Sequence, residues 1–446
     1  MIESNRRVLI ICLCLFALAF VVRLIVWQNN NAAIDGVQYV VTEVYKQDAR
    51  LLVARDIRGF LAGPDPPSDA TIIMHPPGYP IFIAAVYALL GENESLRIIQ
   101  ILLNSLAPLL IFFISRRLFD EPTAIVAGVL TAFSPQFAYH SAIILPDELS
   151  ALPVLAGVYF LVRAWQEERL AMAVLCGASI GLSCWLRSNT LLLPLFFAAA
   201  VPLLFPREWR LKPALVVITT FLVVISPITL RNYLVFRSFV PVSVGFGTTF
   251  IEGLGEMDTA GRTGMPSTDE GVMEMDAAHS GRPDYYGKLY VPDGIARERD
   301  RVARGLNIVR ENPGWYAGNV LKRGTMTFRM ERVPVIEPQY DENATTPAPL
   351  YFLNVPLKLI QRSFITAVFL PLFLLGTLRL FRDAGSRRKL AILLIVPLYF
   401  FVVQPLIHTE YRYLLPASHM LVVISGFGLC WAFEGISNLK FQISNR

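Results

Sequence analysis

The chain has 446 residues, of which 54% are hydrophobic and 17% charged, with a mean hydropathy of +0.49. Soluble proteins carry about 25% charged residues, so an ordinary soluble domain is excluded and an all-α polytopic membrane protein is expected. The net charge of +5 does not indicate nucleic acid as a partner, because basic residues of such a protein gather in short loops on one side of the bilayer.

The first apolar run, Val8 to Trp27, follows Arg6-Arg7 and has one charge, Arg23, near its end. Twenty residues at 1.5 Å each cross about 30 Å of hydrocarbon, and the run is read as span one rather than as a cleaved leader. A polar outer loop follows over residues 28–94. Its stretch from Tyr45 to Gly91 holds Asp48, then His75-Pro76-Pro77-Gly78-Tyr79-Pro80, then a short apolar run to Leu90. Further long runs occupy 97–115, 122–141, 148–164, 170–186, 190–205, 213–230, 363–381, 390–407 and 414–432, ten with the first. All five cysteines lie inside apolar runs, which leaves no disulfide framework and no paired-cysteine zinc site.

Tyr79 to Leu90 is only 12 residues long, which suits a re-entrant or interfacial segment. Charge supports that reading. If the segment does not cross, Arg6 and Arg7, Arg116 and Arg117, Arg163 and Arg169, Arg207 and Arg210, and the cluster from Arg379 to Lys389 share one side, as the positive-inside rule requires. The outer face then collects residues 28–94, the loop at Pro146-Asp147-Glu148, the turn Arg187-Ser188-Asn189, the region 231–362 and His408-Thr409-Glu410-Tyr411-Arg412-Tyr413.

Three parts are expected: an N-terminal transmembrane catalytic module over 1–230, an extracytoplasmic region over 231–362, and C-terminal transmembrane helices over 363–446. Within the middle region, Ile295, Val302, Leu306 and Val309 are helically spaced and Pro313 closes the run, which predicts an amphipathic helix over 295–312 near the membrane. Trp315 and Tyr316 follow as interfacial anchors. Few ionisable residues fall mid-span and no repeat is visible, so chemistry at the interface is favoured over a midplane transport site. A transporter or flippase for a lipid-linked sugar is the alternative.

Asp48 with Gly63 fifteen residues on, the Pro-Pro-Gly-Tyr-Pro segment, a span ending in Arg116-Arg117, Leu145-Pro146-Asp147, Leu186-Arg187-Ser188-Asn189, Arg231-Asn232-Tyr233 and Tyr411-Arg412-Tyr413-Leu414-Leu415-Pro416 follow one another in an order that resembles the GT-C glycosyltransferases. The narrower likeness is to the bacterial protein O-mannosyltransferase group, which includes the lipid A aminoarabinose transferases. It implies a GT-C fold and transfer of a sugar, with inversion, from a polyprenyl-phosphate carrier to a hydroxyl of a protein, glycolipid or envelope glycan. It also implies residence in the bacterial inner membrane, with the site facing outward.

The roles that follow are a carboxylate to take the acceptor proton and cations for the departing phosphate. Asp48 is the expected base, and Asp147 orients the acceptor or assists a divalent metal ion. Arg187, Arg231 and Arg412 are candidate phosphate partners, with His75, Tyr233 and Tyr413 completing the substrate site. His408 and Glu410 form a weaker candidate metal pair. Two departures matter: Leu52 stands where members often carry an aromatic residue, and Asp35, followed by Tyr39, is a rival base.

Overall fold

The computed structural model describes residues 2–63, 74–206, 208, 211–291, 293–330 and 351–444. The part of the expected catalytic stretch over 64–73, the basic Arg207 and Arg210, and residues 331–350 of the outer region lie outside the described residues. Within them all regular structure is helical.

Each of the ten apolar runs is largely helical, but ten full-length spans are not reached. By length and apolarity six helices qualify: Asn5–Asn29, Ser95–Leu118, Asp147–Glu167, Leu211–Phe236, Arg387–Ile407 and Tyr411–Glu434. A seventh forms if Phe352–Gln361 and Thr366–Arg382, bent by 50°, are one span. Proline accounts for part of the shortfall. Pro135 has no N–H to donate and restricts the residue before it to extended backbone, and Ser134 sits at φ −55°, ψ 121°. The run at 122–141 therefore breaks into Glu121–Phe133 and Pro135–Ala142. Leu170–Leu186 and Ser188–Leu204 are apolar but only 17 residues each.

The helix Gly78–Leu90 has 13 residues and reaches about 20 Å, short of the hydrocarbon thickness. It packs on Tyr39–Val53, so the outer loop is folded rather than solvated. Tyr45, Ala49, Tyr79, Ile83 and Tyr87 share one apolar core with Val26 and Trp27 of the first span and Leu145 of the second outer loop. Thr42 Oγ1 donates to the Ile144 carbonyl at 3.1 Å, which fixes Tyr39–Val53 against the residues leading into Asp147.

Three ionisable side chains from three spans meet inside the bundle. Arg23, Glu148 and His419 have no exposed surface; His419 Nε2 lies 3.2 Å from Glu148 Oε1, and Arg23 Nη2 is 4.0 Å from the same oxygen. The His419 ring stacks on Phe137 at 3.6 Å.

In the outer region, Phe246–Glu256, Asp269–Ser280, Gly294–Glu311 and Pro313–Gly324 form a small helical assembly. A helix does occupy the 295–312 stretch, yet its buried face is charged: Arg297, Glu298, Arg301 and Gly305 point inward, while Leu306 is 43% exposed. Asp276 sets that face, accepting from Arg301 at 2.7 Å and Arg297 at 3.1 Å. Glu298 accepts from the Gly247 and Thr248 backbone N–H groups at 2.7 and 3.2 Å. Arg323 docks the assembly on the bundle by donating to the Pro405 and Ile407 carbonyls at 3.0 Å each.

Leu170–Leu186 and Leu211–Phe236 approach closely through Gly177 and Gly181, four residues apart. A Cβ on Gly177 would lie 2.4 Å from the Val217 carbonyl oxygen, and one on Gly181 would lie 2.7 Å from Val224 Cβ. Small residues at this spacing let helix backbones meet where lipid offers no hydrophobic drive. Gly177→Leu is expected to destabilise the protein by about 1–3 kcal/mol, read as a lowered melting temperature in detergent. Gly314→Ala, where an added Cβ meets nothing within 4 Å, is expected to melt as wild type does.

Candidate active site

The ends of several helices converge on a cluster of charge in which Asp147 is buried and Arg187, Glu410, Arg412 and Tyr413 are partly buried. Asp147 opens the helix Asp147–Glu167 and is 3% exposed. Arg187, just past the end of Leu170–Leu186, places Nη1 2.9 Å from Asp147 Oδ1. Its guanidinium also lies over the Tyr413 ring at 4.5 Å. Arg412 lies 5.1 Å from the same ring centre, and Glu410 accepts from Arg412 Nη2 and from the Tyr413 hydroxyl, both at 3.0 Å. Tyr413 is thus flanked by two guanidinium groups whose positions are fixed by two carboxylates. The turn bearing Arg187 is itself pinned: Tyr399 donates to the Asn189 carbonyl at 2.6 Å, and Ser243 donates to Ser188 at 3.0 Å.

His75 joins this cluster from the proline-rich segment, its ring 4.6 Å from that of Tyr45. Burial, with Arg187 and Arg412 adding repulsion, lowers its pKa to about 3, so the imidazole is neutral at physiological pH and its buried Nε2 has no partner among the described residues. Tyr45 also meets Tyr79 edge-on at 5.0 Å. Tyr79 donates to Gln100 at 2.6 Å, and Gln100 donates to the Ser141 carbonyl at 3.1 Å, tying the proline-rich segment to the second outer loop.

Asp48 stands one turn after Tyr45 on the same buried face of Tyr39–Val53, as residues three apart on a helix do. It is 6% exposed. Burial, only partly offset by the charge of Arg231, pushes its pKa up to about 7. Arg231 reaches across from the end of Leu211–Phe236 and donates to the Leu61 carbonyl at 2.9 Å and to Asn232 Oδ1 at 2.7 Å. Tyr45 feels the charges of Asp147, Arg187 and Arg412, so it links the two groups.

The sequence-derived candidates therefore separate into three sets. Asp147, Arg187, Arg412, Tyr413 and His75 come together, Asp48 and Arg231 make an adjoining pair, and Tyr233, 54% exposed, joins neither. Asp35 is ion-paired with Arg97, whose guanidinium stacks over Trp27 at 5.4 Å. Sequence reading missed Tyr45 and the part Glu410 plays. Tyr45 was legible as the i−3 neighbour of Asp48, and Glu410 from its place two residues before Arg412.

The donors of the described residues do not make a site for a divalent metal ion. Among the described residues no group of three or more His, Cys, Asp or Glu side chains is placed to hold one, and Arg187 already lies against the Asp147 carboxylate. His408 and Glu410 do lie 3.4 Å apart, but the third contact of His408 is Glu256, whose Oε2 is 3.0 Å from Nδ1. Burial opposes protonation of His408, and the Glu256 and Glu410 carboxylates outweigh it, lifting the imidazole to about 9. The pair is an imidazolium between two carboxylates.

Residues 74–230 match the family model described as dolichyl-phosphate-mannose-protein mannosyltransferase. No curated protein matches. Among solved structures, the oligosaccharyltransferase AglB from Archaeoglobus fulgidus, in complex with an inhibitory peptide and a dolichol-phosphate, is 15% identical with a TM-score of 0.51. That match covers 98% of this chain and 52% of the archaeal one. The apo form of the Archaeoglobus fulgidus enzyme gives 16% identity and a TM-score of 0.52, over 97% and 52% of the two chains. ArnT from Cupriavidus metallidurans bound to undecaprenyl phosphate is 15% identical over 93% of this chain and 77% of that one, with a TM-score of 0.36. The chain spans about half the length of the archaeal structures. It resembles the GT-C glycosyltransferases in sequence over residues 74–230 and has their fold.

The His408 contacts set a stability window. Its pKa is raised above the ordinary value of 6.5 to about 9, so the stabilisation is fully present below pH ~6.5 and is lost as pH rises through ~9, at most about 3 kcal/mol. Wild type is expected to melt at a lower temperature at pH 9.5 than at pH 6.5, and His408→Gln to lose most of that difference in thermal melts at the two values.

Proposed function

We propose that the protein is a membrane glycosyltransferase that moves a sugar from a polyprenyl-phosphate donor to an acceptor hydroxyl on the outer face of the bacterial inner membrane. The observation that carries the reading is Asp48, a buried carboxylate whose pKa of about 7 lies near operating pH, where a general base is most effective. It stands one helical turn from Tyr45 on the same buried face, within the field of Arg231.

Each part of the cluster then has a task. Asp48 takes the proton from the acceptor hydroxyl as its oxygen attacks the anomeric carbon. The bond from that carbon to the phosphate oxygen breaks, and the phosphate departs on its lipid with the electron pair. Arg187 and Arg412 stabilise the charge that develops there, with N–H groups left over from Asp147 and Glu410; a guanidinium can meet phosphate in a bidentate manner where an ammonium cannot. His75, neutral and with a free ring nitrogen, offers one hydrogen bond to the sugar. Arg231 supports Asp48.

Asp147 lies against the Arg187 guanidinium, and Asp48 is the carboxylate proposed to act at the reacting face. A double displacement needs a second carboxylate as nucleophile, so a single displacement with inversion is the mechanism these residues support. Asp35 is ion-paired with Arg97.

Asp48→Asn is expected to lower turnover by about 10²- to 10⁴-fold while donor binding survives, because the amide keeps the shape and cannot accept a proton. A protonated carboxyl cannot act as base, so the wild-type rate should fall about tenfold per pH unit below pH ~7. Asp35→Asn should retain both the rate and that profile. The assay follows release of label from a radiolabelled polyprenyl-phosphate sugar by the purified protein. An active Asp48→Asn variant beside a dead Asp35→Asn variant would move the base to Asp35, and two fully active variants would overturn the enzymatic reading.

A further inference from the structure

Away from the cluster of Asp48, Asp147 and the two arginines, a cavity of about 500 Å³ opens between the outer helices and the end of Arg387–Ile407. It is lined by Glu256, Met257, Ser267, Arg323, Met326 and Thr409. We infer that this cavity binds the hydroxyl groups of a saccharide, so that the acceptor is a glycan or glycolipid rather than a bare peptide. The inference rests on the glycosyl-transfer reading and specifies its acceptor.

The wall chemistry selects the ligand class. The volume falls in the ~300–1,000 Å³ range of small-molecule sites. An anion is disfavoured, because Glu256 is on the wall and Arg323 is spent: this guanidinium, 1% exposed, donates to the carbonyls of Gly253, Pro405 and Ile407. A cation is disfavoured by the same Arg323 and by the charged His408 behind Glu256. A purely apolar ligand would cover the Ser267 hydroxyl, the Glu256 carboxylate and the Thr409 Oγ1, which is buried with no partner among the described residues. What remains is a neutral molecule rich in hydroxyls, whose donors suit Glu256, whose acceptors suit Ser267 and Thr409, and whose C–H faces suit Met257 and Met326.

The cavity is also wired to the cation cluster. Glu256 contacts His408 at 3.0 Å and His408 contacts Glu410 at 3.4 Å. Glu410 holds Arg412 and Tyr413, and Tyr413 lies under Arg187, the partner of Asp147. A hydroxyl that binds Glu256 thus acts on the first link of a continuous chain of contacts to the proposed phosphate partners.

The test uses the full chain in nanodiscs, with a panel of methyl glycosides of common hexoses followed by saturation-transfer NMR and undecaprenyl phosphate binding measured in parallel. At least one glycoside is expected to bind. Ser267→Trp, which fills the cavity, should weaken it tenfold or more, and Glu256→Gln about tenfold, as loss of a charge-assisted hydrogen bond does. Both variants should still bind undecaprenyl phosphate, which shows that they fold. Lipid binding with no glycoside signal, or a signal that both variants leave unchanged, overturns the saccharide site and leaves the donor reading standing. Glycoside binding that both variants weaken, in a wild-type chain that does not bind the lipid phosphate, supports the site and overturns the donor reading.

Discussion

The contact between Asp147 and Arg187 is the one on which the outer site depends. Taking two opposite charges out of water costs several kcal/mol per ion, and their attraction offsets that only with good geometry and further partners. Here the partners are shared. Arg187 rests on Tyr413, Tyr413 donates to Glu410, and Glu410 accepts from Arg412. Removing either member of the first pair leaves the other charge buried without compensation, and the disturbance passes to the turn at 411–414. The site is therefore one electrostatic unit assembled from the ends of separate spans.

Much of the fold was legible because hydrocarbon is a strict solvent: a run of apolar residues has to be a helix, and every long run is largely one. The number of full-length spans was not legible, because apolarity says nothing about where a helix stops. Pro135 is as compatible with an apolar run as leucine is, yet it divides the run at 122–141. In the outer region the 3.6-residue period identified the helix Gly294–Glu311 but gave no sign of the charged face that it packs inside the protein. Hydrophobic spacing assumes that apolar groups do the burying, and Asp276, roughly 20 residues upstream, draws arginines inward instead.

The candidate site shows the same division. Arginines at the outer ends of spans were visible as single residues, each as compatible with a snorkelling side chain as with a ligand partner. What distinguishes Arg187 and Arg412 from Arg231 is the company of Tyr413, which for Arg187 is a contact between residues more than 200 positions apart. Tyr233 follows Arg231 and Asn232 in sequence, yet it points to the exposed side of its helix while Asn232 is fully buried. Neighbours in sequence on a helix are about 100° apart around its axis, so a motif of consecutive residues cannot place all its members in one site.

The buried contact among Arg23, Glu148 and His419 bears on how the protein is made. Each of these spans enters the bilayer carrying a polar or ionisable group: Arg23 donates to the Ala19 carbonyl of its own helix, while Glu148 and His419 meet only when their two spans pack together. Arg23 emerges first from the ribosome and His419 last. Until the final helix arrives, the imidazole that faces Glu148 and the surface that seals it against Phe137 are missing. Docking of the helix that carries His419 then completes the contact with Glu148 and Phe137.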